Sequence, residues 1–183
     1  MDTNSIHAGD DGNTETLSGK RIPKTDLRIE TLGELDEVQS VLGIIRSLSK
    51  QNQTRELLFK VQEDLQQIMG EIASDASKLT VTNTIDDDQL NELENSIRVY
   101  QERDGLPKGF LIPGIDSASA LIDLGRTVVR RVERRVVAAY RAKIIRNQII
   151  LRYMNRLSTL LYFMEIHEVN LTKKQRPKKT YSS

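Results

Sequence analysis

The fold is decided in the stretch Arg126-Thr127-Val128-Val129-Arg130-Arg131-Val132-Glu133-Arg134-Arg135. Positions three and four apart are neighbours on an α-helix, so Val128, Val132 and Val136 form one apolar stripe. The charged side chains fall on other faces of the same helix. The stretch therefore predicts a long amphipathic helix that packs its valines into a core and presents arginines elsewhere.

A second stripe of this helix carries Arg126, Arg130, Glu133 and Arg134, which we call the arginine ladder. A guanidinium group is always charged, and its planar fork matches phosphate oxygens, so a fixed row of them suits a polyphosphate. Glu133 can hold two arginines in position, or it can simply relieve their mutual repulsion. The alternative interpretation is a solvated basic face on a long helix, which is a common feature.

Composition limits the classes of function. A length of 183 residues predicts one domain over 1–183, and 27 Lys plus Arg against 26 Asp plus Glu give a net charge of +1. Affinity for phosphate or nucleic acid must therefore come from local clustering. The chain has no cysteine, which excludes disulfides, thiolate catalysis and zinc–thiolate sites. Its absence fits a reducing cell interior or a cell that grows at high temperature. We expect no signal peptide and no membrane span, and a cytoplasmic location.

Apolar residues recur at helical spacing in five segments. These segments run from about Asp26 to Lys50, Leu57 to Ala73, Asp86 to Gly105, Ser117 to Ile145 and Asn147 to Val169. Thr84, which precedes three aspartates, is a candidate N-cap for the third helix. No period-2 strand pattern is visible. The predicted fold class is all-α, a bundle of five helices with an irregular N-terminal arm.

Both ends of the chain differ from this bundle in composition. Residues 1–24 predict a loop or arm around Gly9-Asp10-Asp11-Gly12-Asn13-Thr14, where glycines, carboxylates and hydroxyls can gather backbone N–H groups and a cation around phosphates. The spacing matches neither a P-loop nor an EF-hand, and a mobile polar tail is the alternative. Residues 171–183 predict a disordered basic tail.

The usual catalytic machinery is not visible in the sequence. His7 and His167 are its only histidines, and the residues around them do not form a zinc helix motif. We expect His167 to be a surface or partly buried polar residue rather than a ligand. No nucleophile elbow is present either. An enzyme with this sequence would supply positioning and electrostatics, while a substrate or cofactor supplied the nucleophile.

Six blocks of sequence, in order, carry a resemblance to a known family. They are Gly9-Asp10-Asp11-Gly12-Asn13-Thr14, Arg21-Ile22-Pro23-Lys24, Glu34-Leu35-Asp36-Glu37-Val38-Gln39-Ser40, Phe110-Leu111-Ile112-Pro113-Gly114, Arg126-Thr127-Val128-Val129-Arg130-Arg131-Val132-Glu133-Arg134 and Tyr153-Met154-Asn155-Arg156-Leu157-Ser158. The ordered set resembles the PduO-type ATP:cob(I)alamin adenosyltransferases from residue 9 to about residue 165. The resemblance implies a five-helix bundle assembled as a homotrimer, with ATP bound at the subunit interfaces.

The resemblance also implies a reaction. Cobalamin reduced to Co(I) is the nucleophile that attacks the 5′ carbon of ATP, and the whole triphosphate departs, leaving adenosylcobalamin. Negative charge builds on this leaving group, so fixed arginines and Mg²⁺ bound with the ATP would lower the barrier. The partners implied are ATP, cob(I)alamin, a reductase and an adenosylcobalamin-dependent mutase, with no nucleic acid and no membrane.

The residues that match the family's ATP site come from two parts of the chain. The arm supplies Gly9, Asp10, Gly12, Asn13, Thr14 and Lys24, and the fourth and fifth helices supply Arg130, Glu133, Arg134 and Asn155. Mg²⁺ would be held through the ATP phosphates, and the resemblance leaves its protein ligands open.

The catalytic residues implied are Arg130, Arg126 and Asp36, the last two also lying on the corrinoid side. Arg126 matches a position that pairs with the first-helix aspartate, here Asp36, across a subunit interface. Phe110 matches the apolar residue that displaces the lower axial base of the corrinoid and leaves four-coordinate Co(II), which is easier to reduce. A dry apolar wall can do this because it offers cobalt no replacement ligand.

Four positions depart from the family pattern. Ile6 and His7 stand where a Thr and a Lys or Arg are usual, Ile115 replaces a glycine, and Asp123 replaces a histidine. The first pair bears on ATP binding, and the second pair on the corrinoid pocket. Two alternatives therefore stay open: a non-catalytic sensor of ATP or corrinoid with the same fold, and a basic helical protein that binds nucleic acid.

Overall fold

The computed structural model describes residues 9–17, 19–74, 84–107, 109 and 111–175. Within these ranges the chain forms five α-helices, as predicted: α1 (Leu27–Leu48), α2 (Asn52–Ala73), α3 (Asp87–Asp104), α4 (Ser117–Arg141) and α5 (Gln148–Gln175). Two short strands precede them, β1 (Asn13–Glu15) and β2 (Arg21–Pro23). Ile6, His7 and Phe110 lie outside the described residues.

The bundle is built around α4, which packs against α1 and α5, while α1 also packs on α2 and α3 on α5. Val128, Val132 and Val136 are buried in the core, which confirms the predicted stripe. Gly125 allows α1 to come close, because a Cβ atom there would lie 2.9 Å from Cδ1 of Ile45. None of the helices in the described ranges is long and apolar enough to cross a membrane.

An aspartate caps the start of α1, α3 and α4, and the predicted N-cap of α3 at Thr84 is wrong. The cap of α3 is Asp86, whose carboxylate accepts from the backbone N–H of Asp88 at 2.8 Å. The side chain of Gln89 accepts from the N–H of Asp86 at 3.0 Å, which completes a capping box. The aspartate that caps the helix is therefore the first of the run, and the helix begins at Asp87.

The ends of α4 and α5 differ from the prediction. α4 stops at Arg141 rather than near Ile145, because Lys143 adopts a left-handed φ of 62° and its N–H bonds to the carbonyl of Tyr140 at 2.9 Å. α5 continues to Gln175, so residues 171–175 are helical where a disordered tail was predicted. The remainder of that predicted tail lies outside the described residues.

The predicted all-α bundle is confirmed, but the arm is not irregular throughout, because it contains a small sheet. β1 and β2 form an antiparallel pair within the arm, with Thr14 opposite Ile22. Each strand has 3 residues, which is too short to display an alternating pattern in the sequence.

The sequence predicts that His167 lies either at the surface or partly buried. In the structure it is buried. Its Nδ1 lies 2.7 Å from Oδ2 of Asp104, and its ring packs edge-on against Tyr100. The C-terminal end of α3 lies against α5, so Asp104 provides the partner that a buried imidazole needs.

Candidate functional site

The arginines of α4 divide into two groups when their partners are considered. Arg131 donates to Glu37, and Arg135 forms ion pairs of 3.0 Å with both Glu30 and Glu34. All three glutamates are on α1, which lies along α4. These two arginines therefore tie two helices together.

Arg130 and Arg134 lie on a different stripe, and both are exposed. Neither makes an ion pair with any other residue that the structure describes. The Arg134 guanidinium donates to the backbone carbonyl of Arg130 at 2.9 Å, which keeps this side chain along the helix surface. The guanidinium of Arg130 is thus available to an anion from solution.

Glu133 connects this stripe to α5. Nδ2 of Asn155 donates to Oε1 of Glu133 at 2.9 Å. Among the described residues Glu133 makes no ion pair with either exposed arginine, so it does not hold them in position directly. Arg130, Glu133, Arg134 and Asn155, predicted together as ATP-binding residues, lie on the surface that α4 and α5 share.

The N-terminal arm forms a compact turn. The N–H of Gly12 bonds to the carbonyl of Gly9 at 3.1 Å, and the N–H of Lys24 bonds to the carbonyl of Gly12 at 2.9 Å. Gly9 has a φ of 104°, and a Cβ atom there would lie 3.1 Å from Nζ of Lys24. The ammonium group therefore lies directly over a glycine turn, and Thr14 follows on β1. Such a turn with an adjacent cation can bind phosphate oxygens.

Asp11 organises this turn, a role that the motif alone did not reveal. Its carboxylate accepts from the backbone N–H and from Nδ2 of Asn13, both at 3.1 Å, and from Nη2 of Arg21 at 2.8 Å. The Asn13 side-chain hydrogen bond, followed by its backbone bond and the charge of Arg21, holds the pKa of Asp11 below its usual value. Asn13 is therefore engaged within the arm, while Asp10 is exposed beside it. An aspartate two residues before an asparagine is the sequence signal of this turn.

The strands of the arm do not lie along the helices that carry the ladder. β1 and β2 pack chiefly against each other, and neither packs extensively against α4 or α5.

On the predicted corrinoid side, Arg126 has a partner in its own helix. Its Nε and Nη2 donate to Oδ1 of Asp123 at 2.9 and 2.6 Å. Glu165 of α5 is buried nearby, and burial together with the Asp123 charge raises the pKa of its carboxyl group, while Arg126 lowers it. Asp36 is exposed and makes no hydrogen bond or ion pair that involves Arg126 of the same chain.

A cavity of about 470 Å³ lies at the end of the bundle where α4 begins. Leu48 and Leu121 form part of its apolar wall, and Asp116 and Glu168 part of its polar wall. None of the predicted site residues lines it.

The sequence profile of the cobalamin adenosyltransferases matches residues 5–168. The chain belongs to the cobalamin adenosyltransferase family. A corrinoid adenosyltransferase of Citrobacter freundii is 37% identical over 157 residues, covering 85% of this chain and 89% of that protein. A corrinoid adenosyltransferase of Bacillus subtilis is 33% identical over 158 residues, covering 84% of this chain and 80% of that protein. The PduO protein of C. freundii is 31% identical over 91% of this chain, which spans 51% of that longer protein.

Solved structures of the family have the same fold. A variant PduO-type ATP:corrinoid adenosyltransferase from Lactobacillus reuteri, complexed with cobalamin and ATP, superposes with a TM-score of 0.84 at 26% identity, covering 91% of this chain and 93% of that one. A second variant of the L. reuteri enzyme, complexed with ATP, gives a TM-score of 0.82 at 28% identity, covering 91% and 94%. The five-helix architecture is therefore that of this cobalamin adenosyltransferase family.

Proposed function

We propose that this chain transfers the 5′-deoxyadenosyl group of ATP to the Co(I) centre of reduced cobalamin, giving adenosylcobalamin and free triphosphate. ATP-dependent adenosyl transfer to a corrinoid is the activity of the family to which the chain belongs. One observation supports the assignment of this reaction to particular residues. The guanidinium of Arg130 makes no ion pair with the other described residues, and on the same helix lie Arg134 and Glu133, which is bonded to Asn155.

The reaction needs positively charged donors that face the departing triphosphate, and this surface has two arginines. The Co(I) electron pair forms the cobalt–carbon bond, and the bond between the 5′ carbon and its oxygen breaks. Its electrons leave on the triphosphate, which gains negative charge in the transition state. Arg130 and Arg134 are donors that can face this charge, and a donor directed at charge that develops in a transition state contributes about 2.7–4 kcal/mol.

We propose that a second copy of the chain completes the site, in a homotrimer with ATP at each interface. The Gly9–Gly12 turn and Lys24 would hold the triphosphate from one subunit, and the ladder would hold the nucleotide from the next. Two observations support this arrangement: the strands of the arm do not pack extensively against α4 or α5 in one chain, and Lys24 and Arg130 are both exposed. Light scattering on the purified protein measures the mass, and a fully active monomer would contradict the proposal.

On the corrinoid side we propose that Arg126 meets Asp36 of a neighbouring subunit. Asp123 occupies Nε and Nη2 of Arg126, and Nη1 makes no hydrogen bond within the described part of the chain. One guanidinium can therefore serve both carboxylates. Phe110 would displace the lower axial base, as the family resemblance implies.

Mg²⁺ would come with ATP. Among the described residues no cluster of three or more His, Cys, Asp or Glu could hold a metal ion. Magnesium in nucleotide sites is commonly held largely by phosphate oxygens and water, so the ATP phosphates can carry it here. We also propose a cytoplasmic location, because Co(I) needs a reducing compartment.

The test is an anaerobic assay with Mg²⁺-ATP and chemically reduced cobalamin. We expect the Co(I) absorption band to disappear and a light-sensitive cobalt–carbon product to form. ATP binding without turnover would instead support a sensor. Salt-sensitive binding of nucleic acid without ATP binding would support the nucleic-acid alternative. Omission of Mg²⁺ in the same assay tests the metal requirement.

Gly9→Ala is expected to weaken ATP binding while leaving the helical bundle intact. Alanine disfavours a φ of 104°, and its Cβ would press on the carbonyl oxygen of Asn13 and Nζ of Lys24, each 3.1 Å away. Gly12→Ala is the matched control, because Gly12 has a φ of 80° but no atom within 4 Å of a Cβ. It therefore isolates the backbone strain from the contact with Lys24. We expect the larger rise in the ATP dissociation constant for Gly9→Ala, and equal effects would argue against the proposed role of Lys24.

Asp36→Asn is expected to raise the KM for corrinoid and to leave the KM for ATP nearly unchanged. The substitution keeps the shape of the side chain but removes the charge that would face Arg126 of a neighbouring subunit. Asp36 is exposed in the single chain, so the isolated fold should lose little stability. Steady-state kinetics with each substrate varied in turn would measure the two KM values. Unaltered corrinoid kinetics would argue against the intersubunit pair.

A further inference from the structure

We infer that Arg156, itself held by Glu94, is a positioning residue that orients Asn155 towards Glu133 in the ATP site. The inference rests on the proposed function, because it concerns residues that function assigns to the nucleotide. It adds α3 to the site, a helix that carries none of the predicted ATP-binding residues.

Three hydrogen bonds of equal length connect the four side chains. Nε of Arg156 donates to Oε1 of Glu94 at 2.9 Å, and Nη1 of Arg156 donates to Oδ1 of Asn155 at 2.9 Å. Nδ2 of Asn155 then donates to Oε1 of Glu133 at 2.9 Å. The row of contacts therefore runs from α3 across α5 to the arginine ladder on α4.

This arrangement fixes the orientation of the Asn155 amide. An asparagine side chain has one accepting end and one donating end, and a guanidinium only donates while a carboxylate only accepts. If the amide were flipped, its NH₂ group would face the guanidinium of Arg156 and its oxygen would face the carboxylate of Glu133. Both contacts would be repulsive, so the two charged neighbours select one orientation.

Arg156 can do this because its fork makes both bonds at once. Its Nε end is held by Glu94, which sets the direction in which Nη1 points. A lysine would keep the charge, but a single ammonium group on a flexible stem would not reproduce both contacts in the same geometry.

The contrasting interpretation is an ion pair that merely joins α3 to α5. The side chains of Arg156 and Glu94 are 41% and 28% exposed, and pairs of this kind contribute little to stability. A purely structural pair would therefore change neither ATP affinity nor kinetics when it is removed. A positioning pair changes ATP affinity while stability stays nearly constant.

The experiment compares Glu94→Gln with Glu92→Gln in the full-length protein. Glu92 lies on the same helix, and its carboxylate forms an exposed ion pair with Lys60 of α2 rather than with a residue of the proposed ATP site. We expect Glu94→Gln to raise the ATP dissociation constant and the KM for ATP roughly tenfold, with the KM for corrinoid unchanged. Glu92→Gln should behave as the wild type, and both variants should keep its melting temperature. Equal ATP binding in the two variants overturns the inference.

Arg156→Lys and Arg156→Ala provide a second comparison. We expect both to weaken ATP binding, because neither reproduces the two contacts of Arg156 that orient the Asn155 amide. The alanine variant should lose roughly 10- to 100-fold in kcat/KM for ATP. Full rescue by lysine would show that charge alone matters and would overturn the positioning role. If the wild type turns over and the Glu94 and Arg156 variants bind ATP as it does, this inference alone is overturned. If the wild type is inactive, the proposed function is overturned and this inference with it.

Discussion

Arg130→Ala is expected to lower kcat by about 10²–10³, the effect of removing one fixed donor that faces charge developing in a transition state. In the free chain the guanidinium makes no ion pair with the other described residues, and the side chain is exposed. Its removal should therefore cost little folding free energy, since surface charges away from partners contribute little. Single-turnover measurements with saturating ATP would separate the chemical step from substrate binding.

The chain contains a matched control for this variant in the adjacent residue. Arg131→Ala removes the same group from the same helix, but its guanidinium is committed to Glu37 of α1. We expect near-normal turnover and a small loss of stability in that variant. If Arg130→Ala and Arg131→Ala have the same activity, the division of the α4 arginines into two groups does not describe the active site. Retention of full activity by Arg130→Ala alone would remove it from the proposed catalytic residues.

The sequence was sufficient to predict the bundle, because apolar residues recur at helical spacing over five long segments. Val128, Val132 and Val136 recur at an interval of about one helical turn within a long segment, and all three are buried. The arm could not be predicted in the same way. Its strands have 3 residues each, and their pairing depends on the local turn over residues 16–20, where the N–H of Gly19 bonds to the carbonyl of Thr16 at 2.9 Å, rather than on any apolar period.

The residues proposed for the site can be named from the sequence, but the contacts that they make cannot. Helical spacing places Arg130 on the arginine ladder and Arg131 on a different face, but it does not show what either side chain contacts. Arg131 donates to Glu37 of α1, which packs along α4, whereas Arg130 makes no ion pair with any other described residue. Contacts between distant segments of this kind have no local sequence signal. For the same reason, the bond between Asn155 and Glu133 could only be known once α4 and α5 were packed together.

The core contains a polar pair that sequence periodicity also could not predict. The hydroxyl group of Tyr153 donates to Oδ2 of Asp64 at 2.7 Å, and both residues are buried between α2 and α5. Burial raises the pKa of the Asp64 carboxyl above its usual value, and the hydrogen bond from Tyr153 opposes that rise. The tyrosine therefore stabilises the charged form of a carboxylate that the apolar surroundings disfavour.

Tyr153→Phe is expected to destabilise the fold by about 1.5–3 kcal/mol at neutral pH, because the buried carboxylate loses a hydrogen bond to a charged group. Without the hydroxyl group, the pKa of Asp64 in the folded state should rise further. A carboxyl group with a raised folded-state pKa stabilises the fold below its unfolded-state pKa and loses that contribution as the pH rises through the folded value. The deficit of the variant should therefore shrink as the pH falls and Asp64 takes up a proton.

Denaturant unfolding at neutral and at mildly acidic pH measures this difference directly. Tyr162→Phe is the matched control, since Tyr162 is on the same helix, is half-buried and makes no side-chain hydrogen bond within the described part of the chain. Its free energy of unfolding should stay close to that of the wild type at both pH values. A Tyr153→Phe deficit that is independent of pH would mean that Asp64 does not titrate in the folded state over this range. A deficit no larger than that of Tyr162→Phe would mean that the hydroxyl group does not stabilise the Asp64 carboxylate.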